Sequence, residues 1–251
     1  TGCMPQAFPA RAAELSDADI VLGNAERRAI GDRLRAFLAT RERLVDIPPH
    51  PAVYEPLTIR EFQGRTRAFV KIEDGCNRFC SYCAIPYARG RVRSRSLDDL
   101  KRELNALAAA GWREVVLTGI NLTAFGQDTG DSLADAVELA AATEGIVRVR
   151  LGSLEPDHMT PALLDRLAAV PKLCPQFHLS LQSGCNKTLK AMNRHYTAEE
   201  YANAVHLLRK SFRNCSITTD MIVGFPGENL EDFKESFYFA KSIGFAKIHI
   251  F

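Results

Sequence analysis

Ala68-Phe69-Val70-Lys71-Ile72 runs without a break into Glu73-Asp74-Gly75-Cys76-Asn77-Arg78-Phe79-Cys80-Ser81-Tyr82-Cys83. A short run rich in apolar and β-branched residues reads as a buried strand, and the glycine behind it as the turn that ends it. Three cysteines follow, spaced four and three apart, and so short a loop wraps its thiols around one centre. Three thiolates can hold three irons of a [4Fe-4S] cluster and leave the fourth iron open to a chelating small molecule. The alternative is zinc, which prefers four ligands in paired C-x-x-C or C-x-x-H arrangements. No fourth ligand stands nearby, so ligand count and spacing favour the cluster.

Outward from this loop, further strand-like runs at 114–118, 147–151, 177–181, 216–223 and 246–251 alternate with helical periodicity at 97–110, 132–143, 160–169, 197–212 and 230–243. Helix openings stand at Asp131, at Met159-Thr160-Pro161, at Thr197 and at Glu228-Asn229. Six strands separated by five helices predict an α/β fold, a partial (β/α)6 barrel of the TIM-like kind. An open doubly wound sheet is the competitor that periodicity alone does not separate.

Towards the amino terminus, residues 14–43 read as a short strand at 20–22, a Gly23-Asn24 turn and a helix with Ile30, Leu34, Phe37 and Leu38 on one face. This resembles the tail of a small α/β unit. Pro48, Pro49, Pro51 and Pro56 then forbid regular structure over most of the following stretch. The expected organisation is a first piece at 1–45, a linker at 46–64 and the barrel at 65–251. The chain starts at Thr1 and stops at Phe251 inside an alternating run, so both ends read as cut from a longer protein.

The composition is that of an ordinary globular protein: 251 residues, 46% apolar and 25% charged. Disorder and collagen-like structure are excluded. No apolar stretch approaches the ~20 residues of a membrane-spanning helix, and no basic-then-apolar leader is present, so no membrane partner and a cytoplasmic setting are expected. The seven cysteines are an odd number in a chain too long to need disulfide staples, which favours reduced thiols or metal ligands. Cys174 and Cys215 read as buried apolar cysteines. A net charge of +2 does not announce a nucleic-acid binder. Locally, residues 84–102 carry six basic residues against Asp98 and Asp99. In an extended segment Arg89, Arg91, Arg93 and Arg95 would share one side and face phosphates, a solvated basic loop being the alternative.

The C-x-x-x-C-x-aromatic-C pattern after a first strand resembles that of the radical S-adenosylmethionine (SAM) enzymes. The resemblance implies that Cys76, Cys80 and Cys83 hold the cluster, that SAM chelates its open iron, and that one-electron reduction releases a 5′-deoxyadenosyl radical. Past the later strands lie Thr118-Gly119-Ile120-Asn121, Gly152-Ser153-Leu154-Glu155-Pro156, Gln182-Ser183-Gly184 and Gly224-Phe225-Pro226-Gly227-Glu228, where a barrel builds its site. Thr118, Gly119, Asn121, Ser153, Glu155, Gln182, Ser183, Asp220 and Gly224 are therefore SAM-binding candidates, with Gly119 near the amino group, Ser153 and Glu155 at the ribose, and Ile222 with Gly224 beside adenine. Arg194 matches a carboxylate by its guanidinium fork; a solvated helix-end arginine is the plain alternative. His158, His178 and His206 are left as structural.

Longer phrases narrow the match. Residues 70–76 and 85–95, Ser153-Leu154-Glu155-Pro156, Leu181-Gln182-Ser183-Gly184 and the stretch 220–228 are similar to those of the methylthiotransferases. The arginine-rich phrase and Leu117-Thr118-Gly119-Ile120 most resemble the branch that adds a methylthio group to C2 of N6-threonylcarbamoyladenosine 37 in tRNA. The sister branches act on isopentenyladenosine in tRNA or on a ribosomal-protein aspartate; an alternative of another class is a non-enzymatic iron-sulfur or zinc RNA-binding module. The resemblance also implies a second [4Fe-4S] cluster, with Cys3 in Thr1-Gly2-Cys3-Met4-Pro5-Gln6 as its third ligand, a tRNA anticodon stem-loop as partner, and an electron donor such as flavodoxin or ferredoxin. Cys185 stands where the family generally has serine; packing is its expected role.

Overall fold

The computed structural model describes residues 1–25, 27–59, 62 and 64–251. Residues 60, 61 and 63 of the expected linker lie outside the described residues. The amino-terminal piece comprises α1 (Cys3–Ala7), α2 (Pro9–Ala13), β1 (Ile20–Leu22), α3 (Ile30–Thr40) and β2 (Leu44–Asp46). β1 and β2 pair in parallel, Val21 opposite Val45, so this piece is a small βαβ unit whose second strand runs across the expected boundary at residue 45. The apolar stripe of α3 is mostly exposed, with Leu34 and Leu38 at 48% and 52%.

The larger piece contains β3 (Ala68–Lys71), β4 (Glu73–Asp74), α4 (Ile85–Arg89), β5 (Arg93–Ser94), α5 (Leu97–Ala109), β6 (Glu114–Thr118), α6 (Leu133–Ala142), β7 (Arg148–Leu151) and β8 (Ser153–Leu154), followed by α7 (Pro161–Ala168), β9 (Gln176–Leu179), α8 (Asn186–Ala191), α9 (Ala198–Ser211), β10 (Ser216–Met221), α10 (Leu230–Ile243) and β11 (Lys247–Ile250). The long helices start where side chains accept their orphan amides: Ser96 from Asp99, Ser132 from Asp135, Thr160 from Leu163, Thr197 from Glu200 and Asn229 from Asp232. The opening expected at Asp131 falls one residue later, at Ser132.

The parallel strands pair as β3-β6-β7 and β8-β9-β10-β11. Neighbours in the sheet follow chain order with no reversal, which is the order of a barrel and not of a doubly wound sheet. The third strand breaks at Gly152: β7 pairs with β6 on one side, and β8 pairs with β9 on the other. The Gly152 amide still reaches the Leu117 carbonyl at 2.9 Å, so the break bends the sheet without severing it. The short antiparallel pair of β4 and β5 is an addition that the sequence did not announce.

Alternation along these strands sorts the two faces. Ala68, Val70, Val115, Leu117, Val149, Leu151, Phe177, Leu179 and Ile217 belong to one buried core with the helices. Of the intervening positions, Phe69 and Val116 are apolar, whereas Thr118, Arg150, Ser153, His178, Thr218 and Asp220 are polar and half-buried or exposed. Each fully buried Leu or Phe on the helix side contributes about 1.5–3 kcal/mol by leaving water. The opposite, concave face is hydrophilic at Thr118, Ser153, His178 and Asp220. No helix among the described residues is long and apolar enough to cross a membrane.

Candidate functional site

The cysteine loop leaves the carboxyl end of the first barrel strand and is pinned from several directions. Gly75 sits at φ 90°, and a side chain there would collide with the Arg91 carbonyl, so glycine is required. The Cys76 amide reaches Gly90 O at 3.0 Å, Ser81 N reaches Met192 O at 3.0 Å, and Ser81 Oγ donates to Ala191 O at 2.9 Å. Asn193 Nδ2 holds the carbonyl of Phe79 at 2.9 Å. Phe79 itself adopts φ 53°, a left-handed conformation that an aromatic residue takes only under constraint from its surroundings. The end of α8 thus fixes the middle of a loop more than a hundred residues earlier.

Cys80 is buried, and Cys76 and Cys83 are half-buried. Burial raises the thiol pKa of Cys76 and of Cys83, so each keeps its proton until a metal displaces it. Among the described residues no three His, Cys, Asp or Glu side chains converge on a point that could hold a single metal ion. What stands beside Cys80 is a cation: Arg194 Nη1 lies 3.2 Å from its Sγ. A guanidinium there can offset negative charge gathered on the sulfurs when a metal group is bound. A loop of three thiols with a guanidinium against one sulfur fits a cluster bound through three thiolates.

Arg194 is fully engaged. Its Nη2 bonds Glu155, its Nε donates to Tyr196 Oη at 2.9 Å, and the guanidinium lies 4.8 Å over the Tyr196 ring. The alternative of a solvated helix-end arginine is thereby excluded: its side chain is only 4% exposed. The Glu155 carboxyl is raised by burial, against the pull of Arg194 and Arg78. Its backbone amide reaches Thr123 Oγ1 at 3.4 Å, Thr123 donates to Asn121 Oδ1 at 2.8 Å, and Asn121 N donates to Glu73 at 2.8 Å. One hydrogen-bonded path therefore joins the loops after β6 and β8 to the strand that carries the cysteines.

Glu73 and Asp74 are the residues that sequence reasoning passed over. Glu73 is completely buried, accepts from the Ile120 and Asn121 amides, and has its carboxyl pushed up to about 8 by burial. Gly119 must lack a side chain, since a Cβ would come 2.7 Å from Glu73 Oε2. Asp74 is a hub: Lys71 Nζ at 2.9 Å and Arg27 Nη2 at 3.3 Å meet its Oδ2, and Gly75 N donates to its Oδ1 at 3.1 Å. Arg27 also bonds Glu55 at 3.0 Å, tying the amino-terminal piece to the base of the cysteine loop. The available signal was two consecutive acids directly behind an apolar strand.

The other candidates fall in separate places. Asp220 Oδ2 is 3.2 Å from His178 Nε2, and His178 Nδ1 is 3.1 Å from Thr218 Oγ1; Thr118, Ser153 and Asp220 share the polar face. Gln182, at φ 67°, ties its backbone to Asp220 and Ile222. The Gly224 amide is held by Glu228 at 2.6 Å. Ser183 is completely buried, its Oγ lying 3.4 Å from that of Ser236 and accepting from Cys185 N. Its side chain shapes the turn beneath α10. Cys185 is buried beside Asp232, whereas Cys174 and Cys215 are only half-buried, a correction to the sequence expectation.

The four arginines do not share one exposed side, which corrects a second expectation. α4 ends at Arg89 and Gly90 turns the chain at φ 78°, so the segment is not extended. Arg93 turns inward, donating to the carbonyls of Arg91 and Arg89 at 2.9 and 2.8 Å. Arg95 is 1% exposed and paired with Glu103 and, at 2.6 Å, Asp99. Arg89 lies 3.7 Å from Asp74. Only Arg91 is exposed, stacked 4.5 Å over the Phe79 ring. Cys3, half-buried on α1, receives Asn24 Nδ2 at 3.5 Å, and the same amide donates to Ala88 O at 2.8 Å, linking α1 to α4.

Comparison with known proteins supplies the context for this geometry. The family model of the radical SAM superfamily matches residues 70–240. The chain is similar to the threonylcarbamoyladenosine tRNA methylthiotransferase MtaB of Aquifex aeolicus, 41% identical over all of this chain and 62% of that protein. It is also similar to the tRNA-2-methylthio-N(6)-dimethylallyladenosine synthase of Syntrophomonas wolfei, 43% identical over 77% of this chain and 44% of that protein. The chain thus spans less than two thirds of the length of these relatives. Among solved structures, the radical SAM methyltransferase TsrM of Kitasatospora setae superposes with a TM-score of 0.59 at 21% identity, covering 73% of this chain and 35% of that one, which is a likeness of fold. With strand order, cysteine loop and family match in agreement over more than half of its length, the chain belongs to the radical SAM superfamily.

Proposed function

We propose that this chain is the catalytic part of a methylthiotransferase that modifies C2 of N6-threonylcarbamoyladenosine 37 in the anticodon stem-loop of a tRNA. Cys76, Cys80 and Cys83 would hold a [4Fe-4S] cluster, and SAM would complete it. Bound together and reduced by a donor such as flavodoxin or ferredoxin, these supply a 5′-deoxyadenosyl radical. The protein's part is to hold and shield. The observation that carries the reading is Arg194 set against Cys80 Sγ and Glu155, a buried charge pair at one thiol of three. Arg194 offsets thiolate charge, Glu155 balances the guanidinium, and Glu73 fixes the amides of Ile120 and Asn121 at the rim. Thr118, Gly119, Ser153, Gln182, Asp220 and Gly224 complete the proposed SAM surface through backbone groups and the polar face.

Residues 1–45 would be the tail of a domain carrying a second cluster, with Cys3 as one of its ligands, and residues 65–251 the barrel. Arg91, with Arg89 behind it, would meet RNA phosphates, and the setting would be the cytoplasm. The Syntrophomonas relative supports the sister substrate, a dimethylallyl-type adenosine, as a second reading.

Anaerobic reconstitution with iron and sulfide, iron counting and electron paramagnetic resonance with and without SAM test the site. About four irons per chain and a SAM-dependent spectrum are expected. Uptake of one zinc and indifference to SAM would overturn the reading. Nucleoside mass spectrometry on the two candidate tRNA substrates separates the branches.

A further inference from the structure

A groove of about 400 Å³ opens between the amino-terminal helices and the cysteine loop, lined by Ala7, Phe8, Ser81, Tyr82, Cys83, Ala84 and Tyr87. Three of these are aromatic and face solvent: Phe8 is 48% exposed, Tyr82 39% and Tyr87 63%. Such rings are normally sheltered, and their concentration at one edge marks a contact surface. A second tier backs them. Phe79 meets Tyr87 edge-to-face at 5.6 Å, and the exposed Arg91 lies 4.5 Å over the Phe79 ring. The groove's own lining carries no charged side chain, and a second guanidinium, that of Arg11, lies 5.8 Å over the Phe8 ring.

We infer that this groove is a stacking platform for unpaired RNA bases, which engages nucleotides flanking the target while the target itself enters the barrel rim. The inference rests on the RNA reading above and adds to it where the flanking bases lie. Aromatic faces beside an arginine are what single-stranded nucleic acid uses: bases stack on rings, and the guanidinium meets phosphate. The volume lies within the roughly 300–1,000 Å³ range of clefts that take planar small groups. A hollow of that size admits inserted bases better than the flat patch of a folded protein. Because Cys83 lies in its wall, a base seated there is anchored next to the proposed cluster, and a loop held on both sides of the target cannot slip in register.

The test uses the purified chain, an RNA hairpin with an unpaired adenosine-containing loop, and a fully paired duplex of the same length. Both are followed by fluorescence anisotropy, with no cluster loaded. Tyr87→Ala should weaken hairpin binding roughly 5- to 150-fold, the loss of one stacked base, and leave duplex binding unchanged. Tyr87→Trp should restore it. Arg91→Ala should reduce the slope of log affinity against log salt by about 0.7. Equal hairpin affinity for wild type and Tyr87→Ala would overturn the platform and leave the RNA reading standing. If the wild type prefers duplex to hairpin, the platform and the RNA reading both fail. Loss of reduced-flavodoxin affinity in Tyr87→Ala, with RNA binding intact, would overturn the platform and make the groove the electron donor's dock.

Discussion

Arg95 and Arg194 both follow the cysteine loop in sequence, and each buries its guanidinium against carboxylates. Arg95 meets Glu103 and Asp99, and every group it touches is a fixed part of β5, α5 and the adjoining strand. Arg194 meets Glu155 and Tyr196 as well, but its third nitrogen points at the sulfur of Cys80. Burial and pairing are therefore common to a structural clamp and to a candidate site. The distinguishing feature is one contact with a group that has chemistry of its own. The ion pairs resist easy ranking by energy, because desolvation consumes much of what the charges return.

The comparison breaks if the thiols do not behave differently from the clamps. Cys80→Ala should abolish iron loading and SAM cleavage altogether, while far-ultraviolet circular dichroism and the thermal midpoint stay near those of the parent. Retained cleavage would remove Arg194 from any site.

Next come the arginines themselves. Arg95→Ala should cost about 3–5 kcal/mol of stability, since Glu103 is left buried without a charged partner, yet each folded molecule should bind iron normally. Arg194→Gln should cost a comparable amount through Glu155 and, unlike Arg95→Ala, should shift the electron paramagnetic resonance of the reconstituted protein. Urea titrations beside spectra of the two variants separate a clamp from a site; identical spectra would make them the same kind of residue.

A third test sharpens the contrast through pH. Glu73 has a folded pKa of about 8, against 4.5 for the unfolded carboxyl. The folded state holds its proton more tightly, so Glu73 favours folding fully below pH 4.5, and that contribution falls by about 1.4 kcal/mol per pH unit as pH rises through the folded pKa. Glu73→Gln should flatten the dependence of urea stability on pH between 5 and 8. An unchanged slope would mean that Glu73 is ionised in the folded chain.

The barrel was legible because its strands and helices repeat with different periods and its helices begin with capping residues; Thr197 with Glu200 and Asn229 with Asp232 both close reciprocal boxes. The cysteine loop was legible from spacing. The arginine run was not, because equal spacing in sequence becomes equal facing only if the segment is extended, and α4 with the Gly90 turn ends that assumption. The signal for Arg95 lay further on, in Asp99 and Glu103 at successive turns of one helix. Glu73 escaped because its partners are backbone amides of another loop, which no side-chain pattern encodes. The burial of Ser183 was not legible, because a short loop of polar residues past a strand end looks the same whether it faces solvent or turns beneath α10.

The polar inner face of the sheet bears on how anything would be captured there. Thr118, Ser153, His178 and Asp220 offer polar groups there, so an entering molecule exchanges hydrogen bonds to solvent for hydrogen bonds to protein and releases little from greasy walls. Its capture would carry a small heat-capacity change and gain its selectivity from the directions of donors and acceptors. The helices on the far side, packed by burial of hydrocarbon, would hold the fold by the opposite kind of thermodynamics, with a large heat-capacity change and a grip that weakens on cooling. A single sheet thus separates two regimes, with durability on its convex side and discrimination on its concave one.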